Sequence, residues 1–176
     1  MIFGNQSASP YLDKNGQRLK DVLAAIQIMA EYSRYSASLQ RWIFLITGTA
    51  EADQTSADLS YWGNVFNEHS EFFRTDQNGK IALIHRRVLG FYDIDSERDV
   101  SLDERGNMSE ADRKRTSRRR LTPEQLTSLM TTAIHLHAAA LQAQQARKWW
   151  VAPSLGVVGI VLGAFVTAWL KGEGAG

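Results

Sequence analysis

"EFFRTDQNGKIALIHRRV", residues 71–88, decides how the first half of the chain is read. Asn78-Gly79 lies between two apolar stretches, the strongest short-range signal of a β-hairpin. Phe73 on one arm, and the alternation of Ile81, Leu83 and His85 on the other, predict the two faces of a paired unit. The residues before it follow a different period. In "GQRLKDVLAAIQIMAEYSRY", residues 16–35, Leu19, Val22, Leu23, Ile26 and Met29 recur at helical spacing. "SASLQRWIFLITG", residues 36–48, predicts a second helix, opened by Ser36 or Ser38 and closed by Gly48. "TSADLSYWGNVFNEH", residues 55–69, predicts a third. It carries Leu59, Trp62, Val65 and Phe66 on one face, with Ser56 as its cap.

Three helices followed by a hairpin is an order that resembles the winged helix-turn-helix family, over about Gly16 to Val88. In that family the third helix reads DNA and the hairpin is the wing, so the resemblance implies nucleic-acid contacts there. The third helix of this chain departs from that use. It holds Asp58 and Glu68, with Glu71 just after, and no Lys or Arg. A groove-reading helix needs cations for phosphates and Arg, Asn or Gln for bases. The basic residues sit instead on and after the hairpin: Arg74, Lys80, Arg86 and Arg87. Many winged helices serve as protein-interaction modules, and the resemblance implies that role here. Tyr61, Trp62 and Phe72 are the exposed options, Trp62 also suiting the core.

Beyond the hairpin, "DIDSERDVSLDERGNMSEADRKRTSRRR", residues 93–120, has almost no apolar content and reads as a solvated, charged linker. Acidic residues dominate from Asp93 to Asp112. Six basic residues then follow within eight positions: Arg113, Lys114, Arg115, Arg118, Arg119 and Arg120. Such a run is a candidate contact for anionic headgroups or nucleic acid. The plainer alternative is that the two halves neutralise each other.

"LTPEQLTSLMTTAIHLHAAALQAQQARKWW", residues 121–150, predicts a long helix. Thr122 and Gln125 form a capping box around Pro123. Leu126, Leu129, Met130, Ala133, His137, Ala140 and Leu141 share one face. His135 and His137 are two apart and point different ways, so one surface and one half-buried histidine are expected rather than a metal site. Next, 22 residues pass without a charge between Lys148 and Lys171. That length predicts a transmembrane helix over 149–170, with Trp149, Trp150 and Trp169 as interface anchors. Gly156, Gly159 and Gly163 form a stripe suited to helix association. Arg147 and Lys148 on the N-terminal flank, and a first stretch without a basic or apolar signal region, place the N-terminal domain on the cytoplasmic side. The expected location is the inner (cytoplasmic) membrane, with the lipid bilayer and further copies of the chain as partners.

The composition bounds the chemistry. The chain has 176 residues, a net charge of +1 and no cysteine, and its mean hydropathy is −0.29. Disulfides, thiolate catalysis and cysteine-ligated metals are excluded. No Gly-rich phosphate loop, GxSxG elbow, HExxH helix or Arg-x4–6-His pair of HEPN ribonucleases occurs. Asp93-Ile-Asp95 is a DxD without accompanying ligands. No enzyme, catalytic residue, cofactor or metal is expected.

The expected fold class is mainly α with one β-hairpin. It comprises a winged-helix-like domain (1–92), a charged flexible linker (93–121), a juxtamembrane helix (122–148), a transmembrane helix (149–170) and a short tail (171–176). The expected function is a non-enzymatic, tail-anchored, single-pass protein whose cytosolic domain mediates interaction with an unidentified protein partner or self-assembly, as an adaptor, sensor or small effector. The alternative is a membrane-tethered nucleic-acid binder using the wing and residues 113–120.

Overall fold

The first helix, α1 (Gln17–Glu31), buries Val22, Ala25, Ile26, Met29 and Ala30, the face its periodicity marks out. The structure, a computed structural model, describes Pro10, Tyr11 and residues 17–148. The chain divides into two compact units, Met1–His137 and Ala138–Gly176. The architecture below is that of the first.

A two-residue strand, β1 (Ser36–Ala37), follows α1. Helix α2 (Leu39–Thr47) opens at Ser38, whose side chain accepts the Arg41 N–H at 3.3 Å. It closes at Gly48, whose left-handed φ of 79° directs its N–H to the Phe44 carbonyl. Helix α3 (Ser56–Glu68) is capped by Thr55 rather than the expected Ser56. Thr55 Oγ1 accepts from Asp58 N at 3.2 Å, and Asp58 Oδ2 accepts from Thr55 N at 2.9 Å. A cap at Ser56 would have put Leu59 in the reciprocating position, where no acceptor is available.

The hairpin is present, as β2 (Phe73–Thr75) and β3 (Ile81–Leu83), with Thr75 opposite Ile81. Asp76 Oδ1 holds its turn by accepting from Asn78 N (2.8 Å) and Lys80 N (2.9 Å), and Gly79 takes φ 72°. The sheet order is β1-β3-β2, antiparallel throughout. β3 is therefore the central strand, and Ile81, Ala82 and Leu83 are all buried. The expected alternation through His85 does not occur. The strand stops at Leu83, and Ile84–Arg87 form a helical turn, α4, with His85 exposed. Trp42 packs beside this sheet and donates its indole N–H to the Ile81 carbonyl at 2.9 Å. Trp62, Phe66, Phe72 and Phe73 continue the aromatic core. Each such side chain contributes about 1.5–3 kcal/mol by leaving water.

The charged middle is folded. It contains β4 (Phe91–Asp93), β5 (Asp99–Val100), α5 (Leu102–Asn107), α6 (Glu110–Arg115) and β6 (Thr116–Arg118). The three strands form a second antiparallel sheet in the order β5-β4-β6. Ser101 caps α5 and Ser109 caps α6. The single expected hairpin thus becomes two small sheets, and 93–121 is not an open linker. Helix α7 (Pro123–Lys148) follows, with the predicted capping box made by Thr122 and Gln125.

The expected fold class is also corrected on the membrane. Among the described residues no helix is long and apolar enough to cross one. Even α7 is mostly Thr, Gln, Ala and His between its few apolar positions. The expected span, 149–170, lies outside the described residues. The fold class is mainly helical with two small antiparallel sheets, and the transmembrane, tail-anchored and single-pass readings are not carried further.

Arg86 joins the two sheets. Its side chain is fully buried and donates to six backbone carbonyls. Nη1 reaches Met29 and Tyr32 at 2.7 Å and Arg34 at 3.4 Å. Nη2 reaches Arg118 at 2.7 Å and Ser33 at 3.5 Å, and Nε reaches Arg119 at 2.9 Å. One guanidinium therefore caps the negative end of α1 and fastens the end of β6 to it. Burial pulls its pKa down to about 10, which leaves it charged at neutral pH. Removing it strands these carbonyls in an apolar setting. Arg86→Met is expected to lower stability by about 3–5 kcal/mol, read as a drop in the urea midpoint. Arg86→Lys, with three donors and no planar fork, should restore only part of the loss. An unchanged midpoint in Arg86→Met would contradict this role.

Candidate functional site

The ten basic residues expected to form an anion or nucleic-acid surface are scattered by the fold. Arg86 is the buried clasp just described. Arg118 lies 3.7 Å over the Phe91 ring and donates to the Leu89 carbonyl at 2.8 Å. Arg105 covers the same ring at 4.2 Å, so Phe91 is held between two guanidiniums. Arg119 pairs with Asp99, Arg120 with Glu97, and Arg115 with Asp95 and Asp112. Lys114 pairs with Glu110 at 3.1 Å. Arg113 donates to the Gly106 carbonyl at 2.6 Å. The acidic half of the charged middle folds back on the basic half, which accounts for the sequence's low apolar content there. Each surface pair is worth little alone. Together they leave few cations of the run for a ligand.

Arg74 and Arg87 are exposed and line a shallow recess beside the hairpin turn. Lys80 lies on the turn's other side. It lines a groove with Arg34, Arg41, Arg113 and Lys114, which enter from the end of α1, from α2 and from α6. Arg34 and Arg41 were missed in the sequence because they lie far from both basic stretches. Nothing short of the contact between β1 and the β6 region would have placed them together. Tyr35 N donates to Ser117 Oγ at 3.0 Å across this junction.

Of the three aromatic options on the first module, Trp62 and Phe72 are buried and only Tyr61 is exposed. The Tyr61 hydroxyl donates to Asp21. Asp93 of the DxD accepts from Asp95 N (2.9 Å) and Ser96 N (3.0 Å). These bonds hold its carboxyl below the usual range and make it a turn residue. Among the described residues no group of three or more His, Asp or Glu could hold a metal. The glycine stripe Gly156, Gly159 and Gly163, and the anchors Trp149, Trp150 and Trp169, lie outside the described residues.

One buried polar cluster was not anticipated. His69 is fully buried at the end of α3, with Nδ1 3.2 Å from Glu71 Oε1 and Nε2 without a hydrogen-bond partner. Tyr11 donates its hydroxyl to the same carboxylate oxygen and packs edge-on to the His69 ring at 4.4 Å. His137, whose Nδ1 is likewise buried and unpartnered, lies 6.1 Å from Tyr11 on the other side. His137 is half-buried and His135 exposed, as their spacing predicted. Burial and Glu71 push the Tyr11 hydroxyl well above its ordinary value, so it stays protonated. Burial also lowers the His69 pKa, against the opposing pull of Glu71.

Comparison with protein-family models, with curated proteins and with solved structures finds no match. The functional reading therefore rests on the geometry of this chain alone.

The His69 shift predicts a pH dependence. Its folded pKa is below the ordinary 6.5, so the unfolded chain takes up the proton first as pH falls. Stability from this group is complete above that value and declines as pH drops from it through the folded pKa. The wild-type urea midpoint should fall across this window more steeply than that of His69→Gln. Parallel profiles would contradict the buried, neutral histidine.

Proposed function

We propose that the chain is a non-enzymatic protein-interaction module, winged-helix-like in its first part, that assembles with copies of itself along α7. The family likeness draws on the order α1, β1, α2, α3, β2, β3, with the hairpin directly after the third helix. Direct DNA reading by α3 is disfavoured. Its outward positions include Ser60, Asn64, Asn67 and Glu68, and it has no Lys or Arg to meet phosphates.

The observation that carries the proposal is the uncovered apolar surface of α7. At 100° per residue, Leu136, Leu129, Ala133, Leu126, His137, Met130, Leu141 and Ile134 follow one another around one broad arc. Of these only Leu129 and Ala133, toward the Leu136 end of the arc, are buried. Ile134 is 45 % exposed, and Leu136 and Leu141 are each 39 % exposed. A helix whose apolar arc is wider than the surface it covers has room for a second partner. Ile134 and Leu141 stand seven residues apart, the repeat by which one helix packs along another.

Light scattering on the full chain over a concentration series should give a mass above that of the monomer. The double variant I134E/L141E changes only exposed positions. It should weaken the association at least about tenfold, or about 1.4 kcal/mol. A wild type that stays monomeric at the highest attainable concentration would refute self-assembly.

A further inference from the structure

Between β1 and β6 runs an open groove where five cations from separate parts of the chain meet: Arg34, Arg41, Lys80, Arg113 and Lys114. Two carboxylates line it with them, Glu51 and Asp76. Glu51 stands 3.8 Å from Arg41, and Asp76 is occupied by the backbone N–H groups of its own turn. Lys114 has Glu110. Among the described residues Arg34, Lys80 and Arg113 have no ion pair, Arg34 and Arg113 donating to the backbone carbonyls of Lys114 and Gly106, although the whole chain carries only +1. The positive field is local to this groove.

The groove's walls add a second feature. Among the described residues β1 pairs only with β3, and β6 only with β4, so each is the edge strand of its sheet. Ser36 brings a hydroxyl to the same walls, beside the Ser38 and Thr116 hydroxyls that are bonded within the fold. We infer that this groove docks an acidic, extended segment of a partner protein, its carboxylates on Arg34, Lys80 and Arg113 and its backbone along the strand edges. The inference rests on the protein-interaction reading above and names the chemistry of the partner. A nucleic-acid strand fits less well. Glu51 and Asp76 interrupt the cationic wall, and Tyr35 is the one aromatic lining it, whereas strand-binding grooves combine a continuous basic track with several stacking rings.

The test uses the full chain and fluorescence anisotropy with two labelled probes, a peptide of alternating Glu and Ser and an oligothymidine of equal charge. The peptide should bind more tightly than the oligothymidine, and its affinity should fall as salt is raised. R34E/K80E, at two exposed positions, should weaken peptide binding at least tenfold. R87E, outside the groove, should leave it unchanged. Far-UV circular dichroism of each variant should match the wild type. I134E/L141E should keep full peptide affinity, which separates failure of the groove from failure of self-assembly. No peptide binding, binding indifferent to R34E/K80E, or tighter binding of the oligothymidine would each overturn the inference.

Discussion

The guanidinium of Arg86 satisfies carbonyls from two stretches that lie far apart in the sequence, Met29 to Arg34 and Arg118 to Arg119. A buried charge is tolerated only when its donors are matched, and here six backbone carbonyls match them. The α1 C-terminus supplies orphan carbonyls and the negative end of its dipole. The Ala30 carbonyl of the same helix end takes the Leu121 N–H, and the Tyr92 hydroxyl donates to Ser33. The second sheet has little apolar material of its own beyond Phe91, Tyr92 and Val100. Its place in the fold depends on this seam.

The seam also explains how the charges are arranged. With β6 fixed against α1, Arg119 and Arg120 face Asp99 and Glu97 of the β4–β5 hairpin, and Arg118 closes over Phe91. Most of the basic run therefore maintains the second sheet. The same placement brings α6 beside β1 and the first hairpin, so Arg113 and Lys114 meet Arg34, Arg41 and Lys80. The groove lies between β1 and β6, where Tyr35 N meets Ser117 Oγ. In the part of α7 up to His137, Leu129 and Ala133 are buried while Ile134 and Leu136 stay exposed. The two surfaces read as functional are both by-products of how the modules pack.

Much of the first module was legible. Helical periodicity located α1, α2 and α3. Gly48 and the Thr122–Gln125 box marked two helix ends through local hydrogen bonds, while the start of α2, open between Ser36 and Ser38 in the sequence, falls at Ser38. The hairpin turn was legible from Asn78-Gly79. The second sheet was not. Its strands are two or three residues long, too short for a period to register. It is held by ion pairs and caps in a composition that also describes disorder. Arg86 and Arg87 look alike in sequence, yet the α4 turn sends one into the interior and leaves the other in solvent. Only the tertiary position of α1 distinguishes them. The groove was illegible for the same reason, since Arg34 and Arg41 join Lys80 and Arg113 only after both sheets form.

The central claim is that residues 91–118 are folded and that Arg86 keeps them so. Hydrogen exchange followed by mass spectrometry on the full chain, wild type against Arg86→Lys, addresses it directly. The account predicts slow exchange across β4 and β6 in the wild type. In the variant, protection should be lost in β4, β6 and the end of α1, while α2 and α3 stay protected. Rapid exchange of 91–118 in the wild type, or protection there that does not respond to the substitution, would contradict it.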